Sequence, residues 1–244
     1  MLICHSRRSE SKRPRKHTPD VTGIVGRKAL DMQELDVDIF AKKTYTDDEY
    51  DSASCMKSID AILYINYKND REQTVKNEIK KIDPKLSRTL KINAVENKNE
   101  SLGITQSHIL ALQEFVKNTA WNTCLILEDD FQFNDTNSSL IHSTINYFFN
   151  TVKNYDMVLL GANEDDSQNE ETDYPCINKI TTTANKSAYI LTRKYLFKLI
   201  GNLMKSSILM KKEGFKEEYV LEKFWQKLST VDNWYSFAEP LGSN

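Results

Sequence analysis

The sequence contains no long apolar run. No stretch approaches the roughly 20 consecutive apolar residues that a helix needs to cross a bilayer. The chain passes from Met1 and Leu2 to Arg7 and Arg8 within its first few residues, whereas a secretory signal peptide needs a longer apolar segment at this place. We therefore expect neither a signal peptide nor a membrane anchor.

Cysteine is scarce as well. The four cysteines are far apart and form no C-x-x-C pair, at Cys4, Cys55, Cys124 and Cys176. This spacing argues against a zinc knuckle and against a dense disulfide framework. We therefore expect reduced thiols in a cytoplasmic protein. Cys124 lies in an apolar segment, where a free cysteine packs as a small hydrophobic residue.

Glycine is also limited, with seven residues in 244. The sequence has no G-x-x-x-x-G-K-[ST] or G-x-G-x-x-G motif, which weighs against a P-loop enzyme and a dinucleotide oxidoreductase. It also lacks the G-x-S-x-G elbow, which weighs against a serine hydrolase.

An excess of charge of one sign is absent too. The 33 Lys and Arg residues nearly balance the 35 Asp and Glu residues, so the formal net charge is -2. The whole chain therefore offers no general attraction to nucleic acid or anionic lipid. We expect no nucleic-acid partner, and any ligand has to be inferred from local sites.

The charge pattern divides the chain into two regions. Residues 1–56 lack apolar periodicity and change from a basic run between Arg7 and Lys16 to an acidic stretch around Asp47. This pattern predicts a disordered charged leader, in which the basic run is either a solvated tail or a polyanion-binding patch. Residues 57–244 carry regular apolar patterns and are predicted to form one domain.

Within that domain, strand patterns alternate with helix patterns. Short apolar runs predict strands near 59–65, 90–95, 124–127, 157–160, 188–191 and 234–237. Helical spacing predicts helices near 75–82, 105–116, 140–152, 196–203 and 221–228, the fourth capped by Thr192. The acidic segment from Gly161 to Asn178 is predicted to be a mobile loop. The alternation indicates an α/β sheet with both faces covered.

The most specific chemical feature is the acidic triplet Glu128, Asp129 and Asp130, directly after the apolar run 125–127. Ligands of open α/β sheets bind beyond the carboxyl ends of strands, where these acids fall. Three adjacent carboxylates repel one another unless a cation compensates them, and hard oxygen ligands suit Mg²⁺ or Mn²⁺. An acidic loop that caps a strand is the structural alternative.

Other polar residues follow the predicted strands. Asn66 and Arg71 flank the turn after the first strand, where Arg71 is either a phosphate ligand or one side of a surface salt bridge. Ser107 and His108 lie in the first turn of the helix after Gly103, opposite its apolar face. A histidine in such a place is either a hydrogen-bonded structural residue or a catalytic group, and Ser107 is a candidate helix cap.

Taken together, these segments resemble glycosyltransferase family 25, which includes lipopolysaccharide-biosynthesis glycosyltransferases and procollagen galactosyltransferases. The resemblance rests on ordered motifs over about residues 59–240. Residues 65–66 with 70–71 are similar to the family's INL…DR signature, and residues 102–103 with 107–108 to its GC..SH segment. Residues 125–130, LILEDD, are similar to its metal motif, and residues 158–161 and 187–191 to two later strands.

The resemblance implies a GT-A-like fold with a mixed, mostly parallel sheet and helices on both faces. It implies transfer of galactose or glucose from a UDP-sugar with Mn²⁺ or Mg²⁺ and inversion at the anomeric carbon. The implied metal ligands are Glu128, Asp129 and Asp130. The implied nucleotide-sugar-binding residues are Asn66, Arg71, Gly103, Ser107, His108 and Asp129.

Two departures from the family pattern concern the mechanism. The cysteine after the family's glycine is replaced here by Ile104 and Thr105, and the late aspartate corresponds to Glu222. An inverting transferase needs a base for the acceptor hydroxyl, which is usually a carboxylate. Glu222 is the candidate base and Glu218 the second candidate. A solvated helix glutamate is the structural alternative.

The sequence therefore leaves three functions to compare. The first is sugar transfer to a protein, glycan or lipid-linked acceptor. The second is a catalytically inactive relative that binds a glycan or a protein. The third is a metal-dependent phosphoryl-transfer enzyme or nuclease, which shares clustered carboxylates.

Overall fold

The computed structural model describes residues 56–161, 168–182 and 185–244. The predicted leader lies outside the described residues, apart from Met56. Within these ranges the main sheet has eight strands in the order β2-β1-β3-β8-β5-β9-β7-β6. The strands are β1 Ala61–Asn66, β2 Thr89–Asn93, β3 Thr123–Glu128, β5 Met157–Leu159, β6 Gln168–Glu171, β7 Ile177–Thr182, β8 Ala188–Thr192 and β9 Trp234–Phe237. A separate antiparallel pair joins β4 Gln132–Phe133 to β10 Gly242–Ser243.

The sheet is mixed and mostly parallel. Strand β1 pairs in parallel with β2 and β3, and β5 pairs in parallel with β9. Strands β8 and β7 run against the other strands of the sheet. The three parallel strands β2, β1 and β3 therefore end at the same edge, one beside another.

Five α-helices of the described residues cover the sheet. They are α1 Glu72–Lys80, α2 Glu100–Lys117, α3 Ser138–Thr151, α4 Arg193–Glu213 and α5 Leu221–Ser229. Side chains of β1 alternate between two core clusters: Leu63 packs with residues of α2, α4 and α5, and Tyr64 packs with residues of α1 and α3. Every residue of β1 and β3 is buried because both faces are covered. The predicted α/β class, with helices on both faces of a mixed, mostly parallel sheet, is confirmed.

An aromatic cluster fixes α5 to the sheet. Trp225 packs edge to face against Tyr189 of β8 and Trp234 of β9, with ring centroids 5.6 and 5.4 Å apart. Such pairs contribute about 0.5–1.5 kcal/mol beyond the burial of their apolar area. This packing holds α5 on the sheet, with its first turn beside the segment that precedes β8.

Two helix starts differ from the sequence prediction. Helix α2 begins at Glu100 rather than near residue 105, because the Asn99 side chain accepts a hydrogen bond from the backbone N–H of Leu102 at 3.2 Å. Thr192 precedes α4 as predicted, but its side chain makes no capping hydrogen bond. The start of α4 is held instead by the backbone bond from Arg193 N–H to the carbonyl of Asn122, at 2.7 Å.

The prediction of a mobile loop from Gly161 to Asn178 is wrong for the part of this segment that the structure describes. Residues 168–171 form the edge strand β6, which pairs with β7, and β7 begins at Ile177. Residues 162–167 of the loop lie outside the described residues. Strand β6 was missed because its described side chains are exposed and polar, so backbone pairing forms it without an apolar pattern. No helix of the described residues is long and apolar enough to cross a membrane.

Candidate active site

A cavity of about 590 Å³ lies at the carboxyl ends of β1, β2 and β3. Its lining comes from residues 66–69, 71, 93–97, 100 and 103–104, with Glu128, Asp130, Lys186 and Asn244. The volume falls within the range of roughly 300–1,000 Å³ that is typical of ligand pockets. The position is the one that open α/β sheets use for ligands.

Glu128 is the last residue of β3 and contributes a buried carboxylate to the cavity. The Tyr67 hydroxyl donates to its Oε1 at 3.2 Å, and His108 Nε2 lies 3.3 Å from the same oxygen. Lys186 Nζ lies 3.3 Å from Oε2. Burial raises the pKa of Glu128, but His108 and Lys186 together outweigh burial and bring it from 4.5 down to about 2. The carboxylate is therefore ionised at neutral pH.

His108 acts on Glu128 from inside the core. Its Nδ1 lies 2.9 Å from the Tyr189 hydroxyl, so a ring protonated on Nε2 accepts from Tyr189 and donates to Glu128. The ring also stacks on Tyr189, with centroids 5.7 Å apart. His108 is fully buried because α2 packs on the sheet, so the predicted position opposite the apolar face is wrong. It lies outside the cavity lining and positions Glu128.

Asp129 does not line the cavity. Its Oδ2 accepts backbone hydrogen bonds from Tyr67 at 2.6 Å and Lys68 at 2.8 Å. Its Oδ1 lies 3.5 Å from Arg71 Nη1. Asp129 thus ties the end of β3 to the turn after β1.

Asp130 faces the cavity and pairs with Arg71, whose Nη1 donates to Asp130 Oδ2 at 3.0 Å. Asp130 Oδ1 is buried and has no hydrogen-bond partner, and the same is true of Asn66 Oδ1. Both residues line the cavity. Within the described residues, no three His, Cys, Asp or Glu side chains are gathered as ligands of one metal ion.

Gly103 and Ser107 shape the cavity rather than supply charge. A Cβ at Gly103 would lie 2.8 Å from the carbonyl oxygen of Val95, so glycine allows α2 to approach this segment. The Ser107 hydroxyl donates to the Gly103 carbonyl at 2.7 Å and accepts from the Val95 N–H at 2.8 Å. Gly103 lines the cavity, whereas Ser107 stands behind the lining.

Lys186 is the functional candidate that the sequence analysis missed. Its Nζ lies between two carboxylates, 3.3 Å from Glu128 Oε2 and 3.1 Å from Glu222 Oε1. Burial lowers the pKa of Lys186, but the two carboxylates raise it on balance, so the ammonium stays charged. A single lysine before an apolar strand carries no sequence signal. The antiparallel pairing of β3 with β8 is what brings Lys186 to Glu128.

The structure separates the two candidate bases. Glu222 lies in the first turn of α5, outside the cavity lining, and reaches the site through its ion pair with Lys186. Glu218 lies in the short 3-10 helix Glu217–Tyr219, where its side chain is exposed and outside the cavity lining. The site therefore gathers Glu222 and leaves Glu218 in solvent.

The cavity lining thus combines three cationic side chains, Lys68, Arg71 and Lys186, with four carboxylates, those of Glu96, Glu100, Glu128 and Asp130. Guanidinium and ammonium groups bind phosphate oxygens. Carboxylate and amide oxygens without partners are ligands that hard divalent cations accept. This arrangement suits a ligand with phosphate groups that binds together with a divalent cation, because the carboxylates of the lining outnumber its cationic side chains.

No protein-family model and no curated protein matches the chain. Among solved structures, it is similar to a glycosyltransferase involved in the glycosylation of the major capsid of PBCV-1, with 11% identity, TM-score 0.42, and coverage of 72% of this chain and 92% of that chain. It is also similar to a mannose-1-phosphate geranyltransferase from Thermus thermophilus, with 9% identity, TM-score 0.46, and coverage of 72% and 73%. A UDP-glucose pyrophosphorylase complexed with UDP-glucose matches with 11% identity, TM-score 0.43, and coverage of 78% and 76%. Likenesses this distant carry no argument about activity, so we infer function from the geometry of the site.

Proposed function

We propose that the chain is a metal-dependent glycosyltransferase related to family 25. It moves galactose or glucose from a UDP-sugar to a protein, glycan or lipid-linked acceptor. The observation that supports this proposal is the cavity at the ends of three parallel strands, lined by Arg71, Lys186, Glu128 and Asp130. A nucleotide diphosphate needs cationic groups at its phosphates. Arg71 and Lys186 can supply them directly, and Glu128 and Asp130 can supply them through a bound divalent cation.

The donor set fits a hard divalent cation, Mn²⁺ or Mg²⁺. Asp130 Oδ1 and Asn66 Oδ1 are oxygen acceptors without partners, on residues that line the cavity. Asp130 and Glu128 would hold the ion, and such ions commonly use only one or two protein carboxylates. Asp129 would contribute by holding the turn at Tyr67 and Lys68. When bound, the ion would stabilise the negative charge of the departing diphosphate as a Lewis acid.

The residues of the chain take the other roles. Arg71 and Lys186 bind the phosphates of the donor, and Asn66 and Gly103 form the adjoining part of the nucleotide-sugar site. Glu222 accepts the proton of the acceptor hydroxyl, because an inverting transfer needs a base on the acceptor side. Lys186 Nζ holds the Glu222 carboxylate at a distance of 3.1 Å.

The test is a panel of UDP-sugars with Mn²⁺, in which release of UDP is measured with and without acceptors. We expect Asp130→Asn to abolish metal-dependent turnover without unfolding the protein. The matched control is Asp173→Asn, since Asp173 is exposed and lies outside the cavity. Unchanged turnover in Asp130→Asn would remove the metal assignment.

A second candidate function is a catalytically inactive relative that binds a glycan or a protein. It is favoured by the ion pairs within the site, because Lys186 pairs with Glu128 and Arg71 pairs with Asp130. Calorimetry with UDP and Mn²⁺ distinguishes the two functions. An inactive scaffold that has lost its cofactor gives no metal-dependent heat, whereas the enzyme binds UDP more tightly with Mn²⁺ than without it.

A further inference from the structure

Helix α4 exposes a row of large apolar side chains. Phe197, Met204 and Ile208 are 66%, 45% and 58% exposed. At about 100° per residue they lie on one side of the helix, away from its core-facing side chains such as Leu199 and Leu203. Single exposed apolar residues are normal on a protein surface, but several on one side of a helix indicate an interaction surface.

A shallow groove joins this row to α2. The groove has a volume of about 280 Å³ and includes Leu110, Met204 and Ile208 in its lining. Leu110 is 40% exposed and belongs to α2. The other lining residues are Val95, Gln106, Ile109, Gln113, Ser207 and Lys211, so the lining contains no carboxylate. We call the surface formed by Leu110, Phe197, Met204 and Ile208 the α4 face.

Lysines border the α4 face on both sides. By helical position, Lys205 and Lys212 lie along one side of the row and Lys211 along the other, and all three are exposed. In the part of the chain that the structure describes, none of these three forms a salt bridge. By contrast, Lys194 and Lys198 of the same helix pair with Asp156 and Asp232.

We infer that the α4 face docks on the surface of an anionic lipid bilayer. A helix that lies in a membrane interface buries its apolar side chains at the boundary of the acyl chains, while flanking lysines reach the lipid phosphates. The α4 face shows this arrangement, with Phe197, Met204 and Ile208 flanked by lysines. A second copy docked symmetrically through the same face would oppose lysine to lysine, which is unfavourable.

The α4 face adjoins the candidate active site. Val95 lines both the groove beside α4 and the 590 Å³ cavity. Docking therefore holds the cavity next to the membrane, which is where a lipid-linked acceptor would lie. The role of a lipid-linked acceptor rests on the proposed function, whereas the membrane contact itself does not.

The test is co-sedimentation of the full chain with vesicles of phosphatidylcholine alone or mixed with phosphatidylglycerol. We expect binding to the mixed vesicles that decreases with salt, and a loss of about tenfold or more in Phe197→Ser with Ile208→Ser. Lys205→Gln with Lys211→Gln and Lys212→Gln should remove the preference for the anionic lipid. The matched control is Leu140→Ser, because Leu140 is 40% exposed on α3, which packs on the other face of the sheet.

Equal binding to both kinds of vesicle, or mixed-vesicle binding that survives the α4-face variants, would overturn the inference. So would a dimer in analytical ultracentrifugation that Phe197→Ser with Ile208→Ser dissociates, in a chain that binds no vesicles. Circular dichroism checks that each variant is folded. Because binding is measured without turnover, failure here leaves the sugar-transfer proposal intact, and failure of sugar transfer leaves this inference intact.

Discussion

Lys186 Nζ lies 3.3 Å from Glu128 Oε2 and joins the segment before β8 to the end of β3. The same ammonium lies 3.1 Å from Glu222, so one lysine links a buried carboxylate at the cavity to the first turn of α5. The stability of the fold and the chemistry of the cavity therefore depend on the same ion pairs.

The first prediction concerns the lysine itself. Lys186→Met leaves the Glu128 carboxylate buried with only His108 and Tyr67 as partners. A buried ionised group that loses its charge partner strongly destabilises the folded state. Because Lys186 is not fully buried, we expect the free energy of unfolding to fall by only about 2 kcal/mol, measured by urea unfolding at neutral pH. Lys186→Arg keeps the charge and serves as the control. A Lys186→Met protein as stable as wild type would show that the ion pair contributes nothing.

The second prediction concerns pH. The pKa of Glu128 is lowered by folding, from 4.5 to about 2. Its contribution to stability is therefore complete above pH 4.5 and is lost as the pH falls towards 2, and it amounts to about 3 kcal/mol. We expect urea unfolding between pH 5.5 and 2.5 to show a smaller loss of stability in Glu128→Gln than in wild type. If the free energy of unfolding fell equally steeply with pH in wild type and in Glu128→Gln, the low pKa of Glu128 would be contradicted.

The third prediction concerns two helical glycines. A Cβ at Gly103 would lie 2.8 Å from the Val95 carbonyl oxygen, whereas a Cβ at Gly201 would meet nothing within 4 Å. We expect Gly103→Ala to destabilise the protein by about 1–3 kcal/mol through crowding. Gly201→Ala should stabilise it by up to about 1 kcal/mol, because alanine favours helix. Thermal unfolding of both variants checks this, and equal effects would show that α2 can move away from the Val95 segment.

The fourth prediction separates the candidate bases and depends on the proposed function. Glu222→Gln should lower kcat by about 10²–10⁴-fold, since general base catalysis contributes that much. Glu218→Gln should leave turnover near wild type, because Glu218 is exposed and Lys186 pairs with Glu222 instead. Equal activity of the two variants would exclude Glu222 as the base.

Much of the fold followed from local sequence patterns. The apolar runs of β1 and β3 predicted buried strands because both faces of a central strand are covered. The spacing in α5 predicted a helix because Leu221, Phe224 and Trp225 share one buried side. Strand β6 was missed because it lies at the sheet edge with exposed polar side chains, and only its pairing with β7 forms it.

Part of the candidate site was likewise predictable from local sequence patterns. Asn66 and Glu128 lie at the ends of recognisable strands, so their meeting at one edge of a parallel sheet was predictable. The contact of Lys186 with Glu128 was not, because it depends on the antiparallel insertion of β8 between β3 and β5. The burial of His108 likewise depends on how α2 packs against Tyr189.

The sequence by itself determined the five helices, six of the eight described strands of the main sheet and the acidic triplet at the end of β3, because apolar periodicity and local charge are properties of neighbouring residues. Only the tertiary structure decided what each acid does. Glu128 is held by His108 and Lys186, Asp129 by two backbone amides, and Asp130 by Arg71. Three adjacent carboxylates of similar chemistry thus take three different roles, because their partners come from chain segments that only folding brings to them.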